Sequence, residues 1–458
     1  MIPLQTKEIA QLVQGQLVGA DIQIQSVSTD SRNINQGDLF IALKGPNFDG
    51  HQFAADVIAK GAVALIVEQQ LDLAVPQIIV ADTRLALGAL GAAVKHKVNP
   101  KSVAVTGSVG KTTVKEMMAA ILDRIGNVLA TAGNFNNDIG APLTLLRLTE
   151  QHQYAVMELG ANHLGEIAYT SSLVKPEVSI ITNVAAAHLE GFGDLFGVAR
   201  AKGEIYGSLG SDGVAIVPLD SEFSGYWLKR LQDKKVLTFS STQAADFSAE
   251  HIVLNEQGCA SFDLVCPQGR IFIQLVLPGK HNVANALAAA AATLTLGASL
   301  TDVQLGLAAM KPVKGRINVT QASDKLRLID DTYNANSEST KAAIDLLATY
   351  PGFRVLVFGD MGELGADARL YHEEVGLYAK QKGINLLFTL GVLSQSASDL
   401  FNGQGAHFSS RQQLIQKLSP ILDEQSDATV LVKGSRSAKM ELVVQDLLER
   451  CQQEISPC

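Results

Sequence analysis

Residues 102–113 read Ser-Val-Ala-Val-Thr-Gly-Ser-Val-Gly-Lys-Thr-Thr, and no other stretch restricts the architecture as much. Val103 and Val105 belong to an apolar, β-branched strand that breaks into a glycine turn, and a helix begins near Thr112. A buried strand running through a tight loop into a helix opens a β-α-β unit. The same arrangement binds nucleotide phosphates. Gly107 and Gly110 let the loop around Ser108 and Val109 turn several N–H groups inward. The helix N-terminus adds partial positive charge, Lys111 adds a full one, and the hydroxyl of Thr112, followed by Thr113, can hold Mg²⁺. Where the general phosphate loop has its first glycine, five residues before Gly110, this chain has Val105. The segment predicts ATP or GTP binding.

With 458 residues, the chain is long enough for three domains at about 150 residues each. The net charge of −9, a single Trp and the absence of any basic run argue against a general nucleic-acid surface. Local cations can still bind an anionic substrate. Cys259, Cys266, Cys451 and Cys458 show no metal-ligand spacing and read as reduced thiols. The first residues lack a basic segment followed by an apolar core, and no apolar run approaches the ~18–20 residues of a membrane span. The expectation is a soluble, cytoplasmic protein.

The fold class expected is α/β in three domains, over 1–83, 84–313 and 314–458. The first is mixed α/β, with strands over 22–27, 38–43, 62–67 and 78–80 and a helix over 52–60. An Ala/Leu-rich helix starts at Thr83 and runs to about residue 97. The second has strands over 102–106, 154–158, 178–182 and 214–218 separated by helices, which predicts a parallel sheet covered on both faces, with ligands beyond the carboxyl ends of the strands. Alternating runs over 262–265 and 271–275 predict an antiparallel addition, followed by an Ala-rich helix over 283–296. The third, with strands over 326–330, 354–358, 386–390 and 429–432 alternating with helices, reads as a second doubly wound, Rossmann-like unit.

Several side chains fall at strand ends. Glu158 closes an apolar strand beside the phosphate loop, where a magnesium ligand is favoured over a solvated terminus. For His188, after the strand over 178–182, a site role and a packing role are evenly matched. Lys202, in Ala-Arg-Ala-Lys-Gly-Glu-Ile, reads from composition as a solvated helical lysine. Asn134, Asn136, Asn137 and Asp138 exceed what a turn needs, so ligand contact is plausible there. Asn282 suits a helix N-cap, whereas Asn285 one turn later could meet a base edge. Asp330-Asp331-Thr332-Tyr333-Asn334-Ala335-Asn336 could hold ribose hydroxyls or form a polar turn. Residues 359–365 and 433–437 stand where a switch-point ligand would bind.

Taken in order, these segments resemble the Mur ligase family of ATP-dependent amide ligases, whose phosphate loop also lacks the first glycine. Ser28-Thr29-Asp30-Ser31-Arg32, Leu43-Lys44-Gly45, Phe48-Asp49-Gly50-His51, 133–142, 331–336, Gly359-Asp360-Met361-Gly362-Glu363-Leu364-Gly365 and Lys433-Gly434-Ser435-Arg436-Ser437 place the resemblance nearest the branch that adds D-alanyl-D-alanine to UDP-N-acetylmuramoyl-tripeptide. The resemblance implies a UDP-sugar-peptide domain, an ATP domain and a C-terminal ligase domain, working through an acyl phosphate. It implies small-molecule substrates, no nucleic acid, no membrane span and a monomer. By similarity Lys111, Glu158, His188 and Lys202 are catalytic. Thr112 and Glu158 would hold one Mg²⁺, His188 and Lys202 a second, with Lys202 carbamylated. Asn282, Asn285, Arg316 and Asp331 would bind ATP, with Asn285 at adenine, Arg316 at the phosphates and Asp331 at ribose. Ser28, Asp30, Ser31, Arg32, Lys44, Asp49 and His51 would serve the uridine diphosphate end. Asn134, Asn136, Asn137, Tyr333, Asn334, Asn336, Met361, Lys433 and Ser435 complete the substrate set. Pro218-Leu219-Asp220-Ser221, Thr332 and Ser337 depart from common family residues without touching the metal set. The Asp-Asn-Pro-Arg selector of the preceding ligase is absent. Rival readings are another ligase of the superfamily and a phosphate-loop switch that hydrolyses nucleotide without ligation.

Overall fold

The architecture, from a computed structural model that describes residues 1–401 and 404–455, is built on three main sheets. The largest has nine strands in the order Val128–Ala130, Tyr154–Glu158, Lys101–Thr106, Val178–Ile181, Val214–Pro218, Lys235–Ser240, Phe247–Leu254, Cys259–Cys266 and Gly269–Pro278. Neighbours pair in parallel through Phe247–Leu254, and only the last three strands are antiparallel to one another. The parallel part therefore extends further than the alternating runs at 262–265 and 271–275 suggested. Its central strands are apolar along their length and buried on both faces, as a helix-covered parallel sheet requires.

The Ala-rich helix Asn282–Leu296 is buried nearly all round. Its small side chains sit close under the phosphate-loop helix Lys111–Leu122 within one apolar cluster. Gly306 of the next helix lies against the same partner: a Cβ there would stand 2.6 Å from the Cα of Ile121. Close-packed interiors tolerate such approaches only with the smallest residues.

The C-terminal sheet orders Asn318–Ser323, Leu326–Asp331, Ala428–Lys433, Phe353–Gly359, Leu386–Leu390 and Gly405–Phe408, parallel except for its first pair. The edge strand Gly405–Phe408, half-buried and without alternation, carried no readable signal in the sequence. The N-terminal sheet runs Gln16–Val18, Gln77–Ile79, Ala64–Val67, Asp38–Ile41, Ser26–Ser28. The single strand expected over 22–27 is two, Gln23–Ile24 and Ser26–Ser28, and they join different sheets. Helix Thr83–Val98, N-capped by Asp82, packs Leu87, Leu90 and Val94 into a core shared by the N-terminal and middle units. No helix among the described residues is long and apolar enough to cross a membrane. Cys259 and Cys266 carry free thiols, and Cys458 lies outside the described residues.

Candidate active site

A cleft of about 780 Å³ opens between the middle and C-terminal units, at the carboxyl ends of the middle sheet's parallel strands. The phosphate loop forms its floor. Gly107 has φ +149°, and a Cβ there would lie 1.9 Å from the Thr182 hydroxyl; Gly110 has φ +83°, and a Cβ there would lie 2.6 Å from Asn285 Oδ1. Only glycine satisfies both the backbone and the space. The next strand end fixes the loop's shape. The Val109 N–H donates to Asn183 Oδ1 (2.8 Å), the Thr182 hydroxyl to the Val109 carbonyl (2.6 Å) and the Ser108 hydroxyl to the Ala185 carbonyl (3.1 Å). Lys111 folds back on the loop, donating to the Gly107 carbonyl at 2.7 Å. Burial is the main cause that lowers its pKa, Glu158 opposes, and Arg316 adds repulsion. A buried cation short of counter-charge is ready for an anionic ligand.

Glu158 ends strand Tyr154–Glu158 with its carboxylate buried. It accepts hydrogen bonds from the Thr112 hydroxyl and from Asn136 Nδ2, each at 2.9 Å, and its own N–H donates to Thr131 Oγ1 at 3.0 Å. Asn136 thus meets the carboxylate directly. Asn137 closes its own turn onto the Gly140 N–H (2.8 Å), and Asn134 lines the cleft.

Lys202, on helix Leu195–Gly203, is 1 % exposed. Its Nζ has no hydrogen bond or ion pair among the described residues and stands 5.5 Å from the Phe192 ring centroid. Burial, aided by repulsion from Lys111, lowers its pKa to about 7. The solvated helical lysine that composition suggested is therefore buried at the cleft wall. The signal was in the spacing: Leu195, Val198, Lys202 and Ile205 share one helical stripe, and Val198 and Ile205 are fully buried. Trp227 anchors the helix by donating its indole N–H to the Ala199 carbonyl at 3.1 Å.

His188 sits in left-handed backbone (φ 55°), edge-on to Phe192, with its pKa lowered mainly by burial. Its Nδ1 meets the Glu363 carboxylate of the C-terminal unit. Also from that side, Arg316 stacks on Tyr333 (4.3 Å) with a buried, unpartnered Nε. Asp331 pairs with buried Lys433 at 2.5 Å, and Lys433 also donates to the Asn334 carbonyl at 3.0 Å. Asn282 and Asn285 bond each other at 2.9 Å, which leaves Asn285 Oδ1 against Gly110. Asn336 lines the cleft, yet its side chain caps helix Ser337–Thr349.

Other expected residues lie elsewhere. Met361 is buried, its N–H donating to His372 Nε2, and Ser435 bonds Ser437. Neither lines the cleft, and neither do Ser28, Asp30, Ser31, Arg32, Lys44, Asp49 or His51. Asp30 and Arg32 pair on the surface, where Arg32 lowers the Asp30 pKa to about 2. The Ser31 carbonyl accepts from Lys60, and Ser28 bonds the Asn33 carbonyl. His51 bridges Asp49 (2.6 Å) and the Glu68 N–H (2.9 Å). Thr182, Asn183 and Asp220 line the cleft without having been singled out as site residues. A strand end beside a phosphate loop was the available signal for Thr182 and Asn183.

Fold and cleft together define a phosphate-loop α/β protein with a second doubly wound unit over the nucleotide site. Three family models match: "Mur ligase family, catalytic domain" over residues 23–125, "Mur ligase middle domain" over 105–293 and "Mur ligase, glutamate ligase domain" over 315–436. UDP-N-acetylmuramoyl-tripeptide--D-alanyl-D-alanine ligase of Escherichia coli is 49 % identical over 98 % of this chain and 99 % of its own length; the Bacillus subtilis enzyme of that name is 34 % identical, with 98 % and 99 % covered. Among solved structures, MurF from Acinetobacter baumannii superposes with TM-score 0.94 at 40 % identity, covering 98 % of this chain and 99 % of that one. The chain belongs to the Mur ligase family. MurF from Thermotoga maritima, solved with ADP, superposes with TM-score 0.84 at 25 % identity, covering 94 % and 98 %.

Proposed function

We propose that this chain is the ATP-dependent ligase that joins D-alanyl-D-alanine to UDP-N-acetylmuramoyl-tripeptide, releasing ADP and phosphate. The observation that carries the reading is the cleft itself: phosphate loop, Glu158, His188 and Lys202 face the C-terminal unit in one cavity. The family membership and the full-length likeness to ligases of that name support it.

The chemistry follows from the substrates. A carboxylate is a poor acyl donor, so γ-phosphoryl transfer from ATP makes it an acyl phosphate. The dipeptide amine attacks, and the tetrahedral intermediate expels phosphate. Alignment and neutralisation of clustered negative charge are the enzyme's main tasks. Lys111 and the loop amides would hold the β- and γ-phosphates, Arg316 would reach them from the opposite wall, Asn282, Asn285 and Asp331 would border the nucleoside, and Lys433 would keep Asp331 in place. Asn134, Asn137, Tyr333 and Asn334 would border the reacting end of the sugar peptide. The Ser28–Arg32 turn and Lys44 would serve its uridine diphosphate end.

The residues present fit Mg²⁺. Thr112 and Glu158 offer adjacent oxygens, the donors a hard cation takes, with Asn136 steadying the carboxylate. When bound, the ion would neutralise charge on the phosphates. Water and phosphate oxygens would fill the remaining positions, as is usual for Mg²⁺ held by one carboxylate. Lys202 fits a carbamate, because a buried amine with pKa about 7 has a large uncharged fraction able to take up carbon dioxide at neutral pH. The carbamate would supply an anion beside His188. We further propose a cytoplasmic monomer.

Mass spectrometry of a reaction containing ATP, Mg²⁺, UDP-N-acetylmuramoyl-tripeptide and D-alanyl-D-alanine tests this reading. It predicts the pentapeptide product. A product formed only when the dipeptide is replaced by a single amino acid would assign the chain to another branch.

A further inference from the structure

One charged side chain of the middle unit is buried without a place in the ligase chemistry. Lys115 lies one turn beyond Lys111 on helix Lys111–Leu122 and is 2 % exposed. An ammonium is costly to bury and is kept inside only when paired and hydrogen-bonded. Glu116 pairs with it at 2.5 Å, and its Nζ donates to the Thr131 carbonyl at 2.7 Å. Lys115 does not line the cleft, so it can act there only through what it holds.

The carbonyl it holds has been drawn out of the sheet. Strand Val128–Ala130 pairs in parallel with Tyr154–Glu158, and Ala130 stands opposite Val156. Thr131 continues the ladder by donating its N–H to the Val156 carbonyl at 3.0 Å. The evenly spaced bonds of a parallel ladder would next carry the Glu158 N–H to the Thr131 carbonyl. Instead the Glu158 N–H donates to the Thr131 hydroxyl at 3.0 Å, and the carbonyl faces Lys115. Thr131 is buried, so a carbonyl turned from the ladder needs another donor, and Lys115 supplies it.

The strand ends at this point. Through Gly133, in left-handed backbone (φ 54°), the chain enters the asparagine loop. Asn136 donates to Glu158 Oε1, and its carbonyl accepts the Gly160 N–H, each at 2.9 Å. Asn134, Asn136 and Asn137 all line the cleft. We infer that Lys115 is a positioning residue: by holding the Thr131 carbonyl out of the ladder it ends the strand and sets the asparagine loop against Glu158 and the sugar peptide. The contact with the sugar peptide rests on the ligase reading above. Without the ammonium, the Thr131 carbonyl returns to the Glu158 N–H, and the peptide planes that lead into the loop turn with it.

Hydrogen exchange and calorimetric binding on the full-length protein test this without turnover. Three variants are compared with wild type. Lys115→Met keeps the length and removes the donor, Lys115→Arg keeps a donor, and Thr131→Val removes the hydroxyl that takes the Glu158 N–H. In Lys115→Met the amides of residues 133–140 should exchange about 10-fold faster, with those of helix Lys111–Leu122 unchanged. UDP-N-acetylmuramoyl-tripeptide should bind about 10-fold more weakly, while ADP affinity without metal stays within about 2-fold. Lys115→Arg should recover most of both losses. Thr131→Val should loosen the same segment, and it carries the test alone if Lys115→Met does not fold. Wild-type exchange over 133–140 in the folded variants overturns the inference. So does a loss that reaches the helix and ADP binding equally, which would make Lys115 a plain packing residue. A wild-type protein that binds ADP but not the sugar peptide would instead overturn the ligase reading, with the exchange result still deciding the role of Lys115.

Discussion

In the middle unit Glu158 is gripped by Thr112 and Asn136, so its motif residues hold one another in the cleft. In the C-terminal unit Asp360 gives its carboxylate to three backbone N–H groups of its own fold, and Met361 is buried against His372. The two motifs look alike in sequence, polar residues and glycines after an apolar strand. One builds the site, and the other builds the frame that aims a single residue at it. A motif therefore shows where the chain turns at a sheet's carboxyl edge; the partners of each side chain show what the turn is for.

If that contrast is right, substitutions in the two units fail differently. Lys202→Ala should lower ligation by about 10²–10³-fold at unchanged melting temperature, the scale of losing a preorganised charge in a closed site. Bicarbonate should restore activity only when a small carboxylate is supplied as well. Near-normal turnover in Lys202→Ala would remove the carbamate. Asn136→Ala should lower kcat about 10- to 100-fold and raise the Mg²⁺ concentration for half activity, as loss of a residue that steadies a metal ligand does. A Mg²⁺ titration that matched wild type would detach Asn136 from Glu158.

The frame should show its effects in stability instead. Asp360→Ala leaves three N–H groups without their acceptor and should cost about 1–3 kcal/mol in denaturant unfolding. Asn336→Ala removes a helix cap and should cost about 1 kcal/mol with little change in kcat, although Asn336 lines the same cleft as Asn136. The smallest effect expected is with pH. Burial lowers the His372 pKa below its ordinary 6.5. The unfolded chain then binds the proton more readily, so this contribution is complete above 6.5 and is lost as pH falls from there toward the lower folded value. Buried His188 and His281 act in the same sense. His372→Gln should flatten the melting-temperature profile on the acid side, and an unaltered slope would place the acid sensitivity in the other two.

The phosphate loop was legible because its backbone demands are local: Gly107 and Gly110 answer to φ and to close neighbours. The two doubly wound sheets were legible because buried parallel strands read as continuous apolar runs. Composition alone misread Lys202, because a lysine among alanine, arginine and glycine carries no mark; the family resemblance placed it in the site, and its helical stripe pointed inward. Asn183 went unread because its role, accepting the Val109 N–H across 74 residues, exists only in the folded sheet. The contact between Glu363 and His188 was unreadable for the same reason, since it joins two units. Residues 22–27 were read as one strand because alternation cannot reveal a change of sheet.

Phosphate release from ATP and Mg²⁺ is the most direct test of the central claim, measured with enzyme alone, with UDP-N-acetylmuramoyl-tripeptide, with D-alanyl-D-alanine, and with both. The account predicts sustained release only in the last mixture, matched mole for mole by pentapeptide. Release at the same rate in all four would contradict it and mark the chain as a nucleotide-hydrolysing switch.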